Sequence, residues 1–253
     1  MAKIMIKGRL IKRLCTLGLL VVIMAYTYRW CPYKIEFLGH YDKIWAHRVN
    51  SVEKLESALH YFEGVELDLV YLDNKNVLDV NHPPVESIGL DFESYLTVLH
   101  QDNQPFMWLD IKNLNVDNAQ FILNRLIQLL EKKHYPLNKI LIETAQPKAL
   151  PIFSSAGFKT SYYLPYGLSV MPEDELRETI KLIEEELTDQ PSIGISSDFQ
   201  DYNIIATYFP TKTKYLWALL PTFHTNFSSV KKPLNDDTVE VMLIKYNALR
   251  GNR

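Results

Sequence analysis

Residues 64–72 read GVELDLVYL, and residues 105–112 read PFMWLDIK. Both runs are apolar and rich in residues that suit a pleated strand. Each carries charge at alternate positions: Glu66 and Asp68 in the first, Asp110 and Lys112 in the second. Side chains at i and i+2 of a strand share a face. Each strand therefore sets two charged groups side by side. Carboxylates crowded onto one face repel one another, and burial adds to the cost of each.

The segments around these two strands repeat one rhythm. Residues 43–47 form a short apolar strand. Residues 51–62 read as a helix with Ser51 as N-cap and Val52, Leu55, Leu59 and Phe62 on one face. Helices are expected over 91–101, 117–133, 147–155, 172–187 and 201–209, and further strands over 139–143, 158–164, 192–196, 214–220 and 239–244. Residues 221–237 are polar with two prolines and read as a loop. Eight strands separated by helices point to a parallel sheet with crossovers. The count of eight predicts closure into an α/β fold of the (β/α)8 TIM-barrel type, with a doubly wound open sheet as the alternative. The barrel domain is assigned to residues 32–253.

Residues 1–31 differ in texture. Lys3, Lys7, Arg9, Lys12 and Arg13 precede an apolar run from Leu14 to Tyr28, LCTLGLLVVIMAYTY. A basic cluster followed by an apolar stretch reads as a signal or signal anchor, a transmembrane or targeting segment. The positive-inside rule then places the barrel on the extracytoplasmic side, periplasmic or lumenal, or secreted if the segment is cleaved. Tyr26, Tyr28, Trp30 and Tyr33 are expected at the far membrane interface.

The net charge of −3 hides an asymmetry. Without the five basic residues of the first thirteen, 22 basic face 30 acidic residues. The folded part is acidic and offers no basic stripe for a nucleic-acid backbone, which argues against nucleic acid as a partner. Cys15 and Cys31 make no CxxC and no Cys/His cluster, so neither a disulfide framework nor a zinc knuckle is implied. No GxSxG, P-loop or HExxH is present.

In such a barrel the chemistry sits at the C-terminal ends of the strands. His47-Arg48 ends the first strand, Glu66-Leu67-Asp68 lies in the second, His82 follows it, and Asp110-Ile111-Lys112 ends the third. A hard divalent cation, Mg²⁺ or Ca²⁺, would relieve the repulsion among Glu66, Asp68 and Asp110. Lys112 adds positive charge beside a phosphate oxygen, and His47 and His82 suit general acid and base work near neutral pH. Each feature has a plainer reading alone: a solvated ExD face, a satisfied barrel histidine, a turn histidine before two prolines, a surface ion pair. Their placement at the ends of three consecutive strands favours a site. Glu143, Trp217, Tyr163 and Tyr166 are candidates for the substrate lining. Ser196, Ser197 and Asp198 read as polar lining or a helix cap.

At these residues the chain resembles the phospholipase-C-like phosphodiesterase barrels, which include glycerophosphodiester phosphodiesterases and sphingomyelinase-D-like enzymes. The matched features are Trp45-Ala46-His47-Arg48, Glu66-Leu67-Asp68, His82, Asp110-Ile111-Lys112 and, in the seventh strand, Trp217. The texture is nearest to the menorin branch, through Trp45 to Ser51, His82-Pro83-Pro84 and Leu109-Asp110-Ile111-Lys112. The sequence departs from the pattern at Val49, where the phosphodiesterases have glycine, at Pro83, where they have Asp, and at Ile244-Lys245-Tyr246, where Thr-Asp-x-Pro is expected.

The resemblance implies a phosphoric diester hydrolase or lyase with a divalent metal on Glu66, Asp68 and Asp110. His47 and His82 would be acid and base, and Arg48 and Lys112 would stabilise charge on phosphoryl oxygens. Small phosphodiesters or phospholipid head groups are the implied substrates, with the membrane met through the N-terminal segment. The rival reading is a non-catalytic, membrane-anchored barrel that binds a ligand or protein partner.

Overall fold

Strands form where apolar residues alternate or run together, and eight of them close on one another. The computed structural model of the protein describes residues 2–100, 102–219 and 227–248. Its strands are β1 (Ile44–His47), β2 (Gly64–Leu72), β3 (Val77–Val80), β4 (Phe106–Ile111), β5 (Ile140–Thr144), β6 (Lys159–Tyr163), β7 (Gly194–Asp198), β8 (Lys214–Ala218) and β9 (Val239–Lys245). All pairings are parallel except that of β3 with β2, and β1 bonds to both β2 and β9. The ring of eight parallel strands is therefore shut, as a (β/α)8 barrel requires.

The helices are α1 (Ala2–Trp30), α2 (Val52–Ala58), α3 (Phe92–Thr97), α4 (Ala119–Lys132), α5 (Pro151–Ala156), α6 (Glu173–Leu187), α7 (Tyr202–Tyr208) and α8 (Phe227–Leu234). From α2 onward each one connects two barrel strands. Ser51 caps α2 as expected, its hydroxyl accepting from Lys54 N at 3.2 Å. The apolar stripe of α4, Ile122, Leu123, Leu126, Leu129 and Leu130, is buried against the strands. Burying one such side chain contributes roughly 1.5–3 kcal/mol.

The strand period divides the core in two. Val65, Leu67, Leu69, Met107, Leu109 and Ile111 face outward into the strand–helix layer. The alternate positions fill the barrel itself, where Trp45, Trp108, Leu141, Tyr215, Trp217, Val241 and Leu243 form a separate cluster. Two glycines make room for these rings. A Cβ on Gly64 would lie 2.2 Å from the Trp45 indole, and one on Gly194 would lie 2.7 Å from the Tyr215 ring. Aromatic groups thus pack the lower barrel, and the charged residues of the same strand faces are lifted to its mouth.

Three expectations need correction. Residues 77–80, read only as an excursion after the second strand, form β3; Leu78 and Val80 bury against the hairpin and return the chain to the barrel rim. The segment read as a loop over 221–237 contains α8, because Val230 and Leu234 lie one turn apart and are fully buried. The expected membrane span does not appear: among the described residues no helix is long and apolar enough to cross a membrane. The apolar run is bracketed by Lys12-Arg13 and Arg29 and falls short of the roughly 20 residues a span takes. Tyr28, expected at an interface, donates instead to the buried Glu36 at 2.5 Å. The expected helix end at Gln101, the strand end at Leu220 and the Trp30 side chain lie outside the described residues.

Candidate active site

The register of the sheet brings the charged residues together. Asp68 of β2 sits beside Asp110 of β4, and Asp110 beside Glu143 of β5. On the other flank Ala46 of β1 pairs with Val65 of β2, which sets His47 next to Glu66. His47 Nε2 lies 3.6 Å from Glu66 Oε2. The hairpin of β2 and β3 carries the chain out and back, and Asn81 N donates to Asp68 O at 3.0 Å. That places His82 Nε2 4.0 Å from Asp68 Oδ1.

The result is one cleft of about 370 Å³ at the C-terminal mouth of the barrel. His47, Arg48, Glu66, Asp68, His82, Asp110 and Lys112 line one side. Glu143, Tyr163, Tyr166 and Trp217 line the other. The site candidates and the aromatic and acidic lining candidates read from the sequence therefore border a single space. Tyr163 and Trp217 stack with ring centroids 5.0 Å apart and planes 10° from parallel. Among Ser196, Ser197 and Asp198, the cap is Asp198, which accepts from Gln200 N at 2.9 Å. Ser196 turns into the barrel and donates to Glu143.

Charge in the cleft is balanced internally. Lys112 Nζ lies 2.7 Å from Asp68 Oδ1 and also pairs with Asp110 Oδ2. Burial works against the Lys112 ammonium, but Asp110 and Asp68 outweigh it and hold its pKa above the usual lysine value. Burial, then the charges of Asp68 and Asp110, raises Glu66 well above the ordinary range. Asp110 is raised by burial, with Lys112 pulling the other way. Glu143 is pushed up to about 8, by burial first and Asp110 second. Burial and the neighbouring Arg48 lower His47 to about 3, so its imidazole is neutral at pH 7. Arg48 Nη2 lies 2.8 Å from His82 Nε2. A guanidinium has only N–H to offer, so Arg48 is the donor of that contact.

The donor set fits a hard divalent cation. One oxygen each from Glu66, Asp68 and Asp110 lies within 4.8 Å of the others. Asp68 Oδ1 is buried and, although close to Lys112, has no well-directed hydrogen bond. Three carboxylate oxygens converging this closely are the chemistry a Mg²⁺ or Ca²⁺ ligand set offers.

Sequence reasoning missed two side chains that hold the site. Asn50 donates through Nδ2 to Asp68 Oδ2 at 2.6 Å and accepts from Asp68 N at 2.9 Å. Lys54 reaches back to His47 O at 2.9 Å and Arg48 O at 2.6 Å. Burial lowers Lys54 to about 8. Asn50 lies inside the matched Trp45 to Ser51 motif, which was its only signal; Lys54 had none. After the last strand, where the family pattern is lost, Tyr246 bonds Ser57 Oγ at 2.6 Å and packs on Phe62.

No protein-family model matches the sequence, and no curated relative matches it. Solved structures do. The chain is similar to a glycerophosphodiester phosphodiesterase from Parabacteroides distasonis, with a TM-score of 0.55, 14% identity and coverage of 81% of this chain and 92% of that one. It is similar to an Oleispira antarctica phosphodiesterase solved with the product sn-glycerol-3-phosphate, at TM-score 0.55, 14% identity and coverage of 81% and 93%. A third similar structure is the Thermotoga maritima glycerophosphodiester phosphodiesterase, at TM-score 0.53, 12% identity and coverage of 81% and 95%. The fold is thus the barrel that glycerophosphodiester phosphodiesterases use.

Proposed function

We propose that the chain is a metal-dependent phosphodiesterase acting on glycerophosphodiesters or (lyso)phospholipid head groups. One observation carries this reading. Two imidazoles, a guanidinium, an ammonium and four carboxyl groups meet in one cleft at the end of the barrel where such folds place their chemistry. The same barrel in the three phosphodiesterases above supports it.

Glu66, Asp68 and Asp110 would hold the divalent ion, Mg²⁺ or Ca²⁺, which supplies Lewis-acid polarisation of the phosphodiester when bound. The chain's own groups do the rest. Arg48 and Lys112 face the cleft and offset charge that builds on the phosphoryl oxygens. His47 and His82 take the proton from the attacking hydroxyl and return one to the leaving oxygen as the phosphorus–oxygen ester bond breaks. With water as nucleophile the product is a monoester; with a hydroxyl of the substrate it is a cyclic phosphate. Glu143 and the Tyr163–Trp217 stack would border the alcohol portion.

Each histidine is expected to contribute roughly 10²–10⁴-fold to turnover. His47→Ala and His82→Ala should each lose that much activity on a glycerophosphodiester with Mg²⁺ or Ca²⁺. Unchanged turnover in both would overturn the reading in favour of the non-catalytic, ligand-binding barrel.

An extracytoplasmic location belongs to the same proposal. Its support is the basic cluster of residues 3–13 and the exposed apolar residues Leu17, Leu20, Val21, Val22 and Ile23 of α1. A reporter enzyme active only outside the cytoplasm, fused after Arg253, should be active; a silent reporter with the fusion intact would reject that location.

A further inference from the structure

Arg48 makes two contacts in different directions. Its backbone N–H donates to Glu66 Oε2 at 2.5 Å, and its guanidinium lies against His82 at 2.8 Å. The backbone between them has φ of +53°. That is the left-handed region, where a residue with a Cβ is strained and glycine is not. Strain of this kind persists only where the surroundings over-determine it.

The surroundings can be named. The Lys54 ammonium, from the first turn of α2, donates to the carbonyls of His47 and Arg48, one on each side of the strained φ. Tyr95 donates its hydroxyl to Val49 O at 2.9 Å, and Val49 N donates to Glu66 O at 2.7 Å. Asn50 then grips Asp68 by side chain and backbone together. The carbonyls of residues 47, 48 and 49 are thereby each held, and Asn50 is held by its side chain. Asn50 bonds Asp68 directly, and Lys54 holds Arg48, whose N–H bonds Glu66, so the two anchors act on two of the three carboxylates of the acidic cluster.

We propose that Lys54 and Asn50 are positioning residues. Lys54 holds Arg48 in its left-handed conformation, and Asn50 aims Asp68 into the cleft. The loop presents Arg48 to both Glu66 and His82 only in that state. The metal-related half of this inference rests on the phosphodiesterase reading. The conformational half does not.

The test uses the full chain in two arms. The first is a double-mutant cycle of Lys54→Met and Arg48→Gly, read by urea unfolding. Glycine needs no clamp to adopt a positive φ, so Lys54→Met should cost about tenfold in the folding equilibrium of the parent and much less beside Arg48→Gly. A Lys54→Met protein that fails to fold but is rescued by Arg48→Gly supports the clamp equally. Equal losses in both backgrounds would reduce Lys54 to an ordinary cap and overturn its role.

The second arm measures Ca²⁺ and Mg²⁺ affinity by calorimetry. Groups that orient metal ligands typically govern about 10–100-fold in affinity. Asn50→Ala and Lys54→Met should weaken binding by that order, and Lys54→Arg should restore most of it. Parental affinity in both variants would overturn the inference while leaving the phosphodiesterase reading intact. A parent that binds neither ion defeats that reading instead, and the unfolding cycle still decides the role of Lys54.

Discussion

Glu66, Asp68, Asp110 and Glu143 lie on three neighbouring strands, Asp110 half-buried and the other three buried, and that setting makes four simultaneous negative charges untenable. Lys112 neutralises part of this charge, and Glu143 meets the rest by keeping its proton. Its pKa rises from an ordinary 4.5 to about 8, chiefly through burial. Between those values the folded state binds a proton that the unfolded chain has released. Glu143 therefore contributes stability that is complete below about pH 4.5 and is lost as pH rises through 8. Glu143→Gln removes that loss. The melting temperature of the variant relative to the parent should climb steadily from pH 5 to pH 8, as thermal melts across that range will report; parallel curves would mean that Glu143 is ionised throughout. The paired residues of the site were legible in the sequence because the strand period puts 66 with 68 and 110 with 112. Asn50 and Lys54 were not, because a side chain bonded to a carbonyl or to one carboxylate leaves no spacing to read.

Strand faces explain why the buried carboxyl groups of the barrel interior gather at its mouth. Several inward faces begin with a bulky ring or a glycine that yields to one: Gly64 under Trp45, Gly194 under Tyr215, Phe106 stacked on Trp45 at 5.4 Å. Gly64→Ala would drive a methyl into the indole of Trp45 and should destabilise the barrel by about 1–3 kcal/mol. Urea unfolding measures this directly, and an unchanged midpoint would mean that β2 can shift against β1. The strands were legible because apolar runs of five to nine residues ended in polar ones. The β3 hairpin was hidden by its short span, and its turn depends on Asn76 at φ of +51°, a backbone state that asparagine tolerates but does not announce. Helix α8 was hidden by Pro233, which sits in its last turn and, lacking an N–H, cannot donate to a carbonyl one turn back.

Closure of eight strands followed from the β/α count, and it is closure that brings the first strand's His47 beside Lys245 of the last. The N-terminal segment was less legible at this scale, because a basic start and an apolar run specify a helix without specifying its length in a bilayer. The whole fold should also respond to metal. An ion held at 100 times its dissociation constant stabilises the folded state by about 2.7 kcal/mol. Mg²⁺ or Ca²⁺ should therefore raise the melting temperature of the chain, and Glu66→Gln should abolish the rise. A melting temperature indifferent to both ions would remove the metal from the account.

The proposed chemistry of this cleft is the cleavage of a phosphodiester bond. Phosphorus-31 NMR of glycerophosphodiester substrates incubated with the full chain and Mg²⁺ or Ca²⁺ follows that bond itself. The diester resonance should fall as a monoester or cyclic phosphate resonance grows, and His47→Ala and His82→Ala should each slow that conversion at least about a hundredfold. A diester resonance that persists unchanged with the metal bound would contradict it.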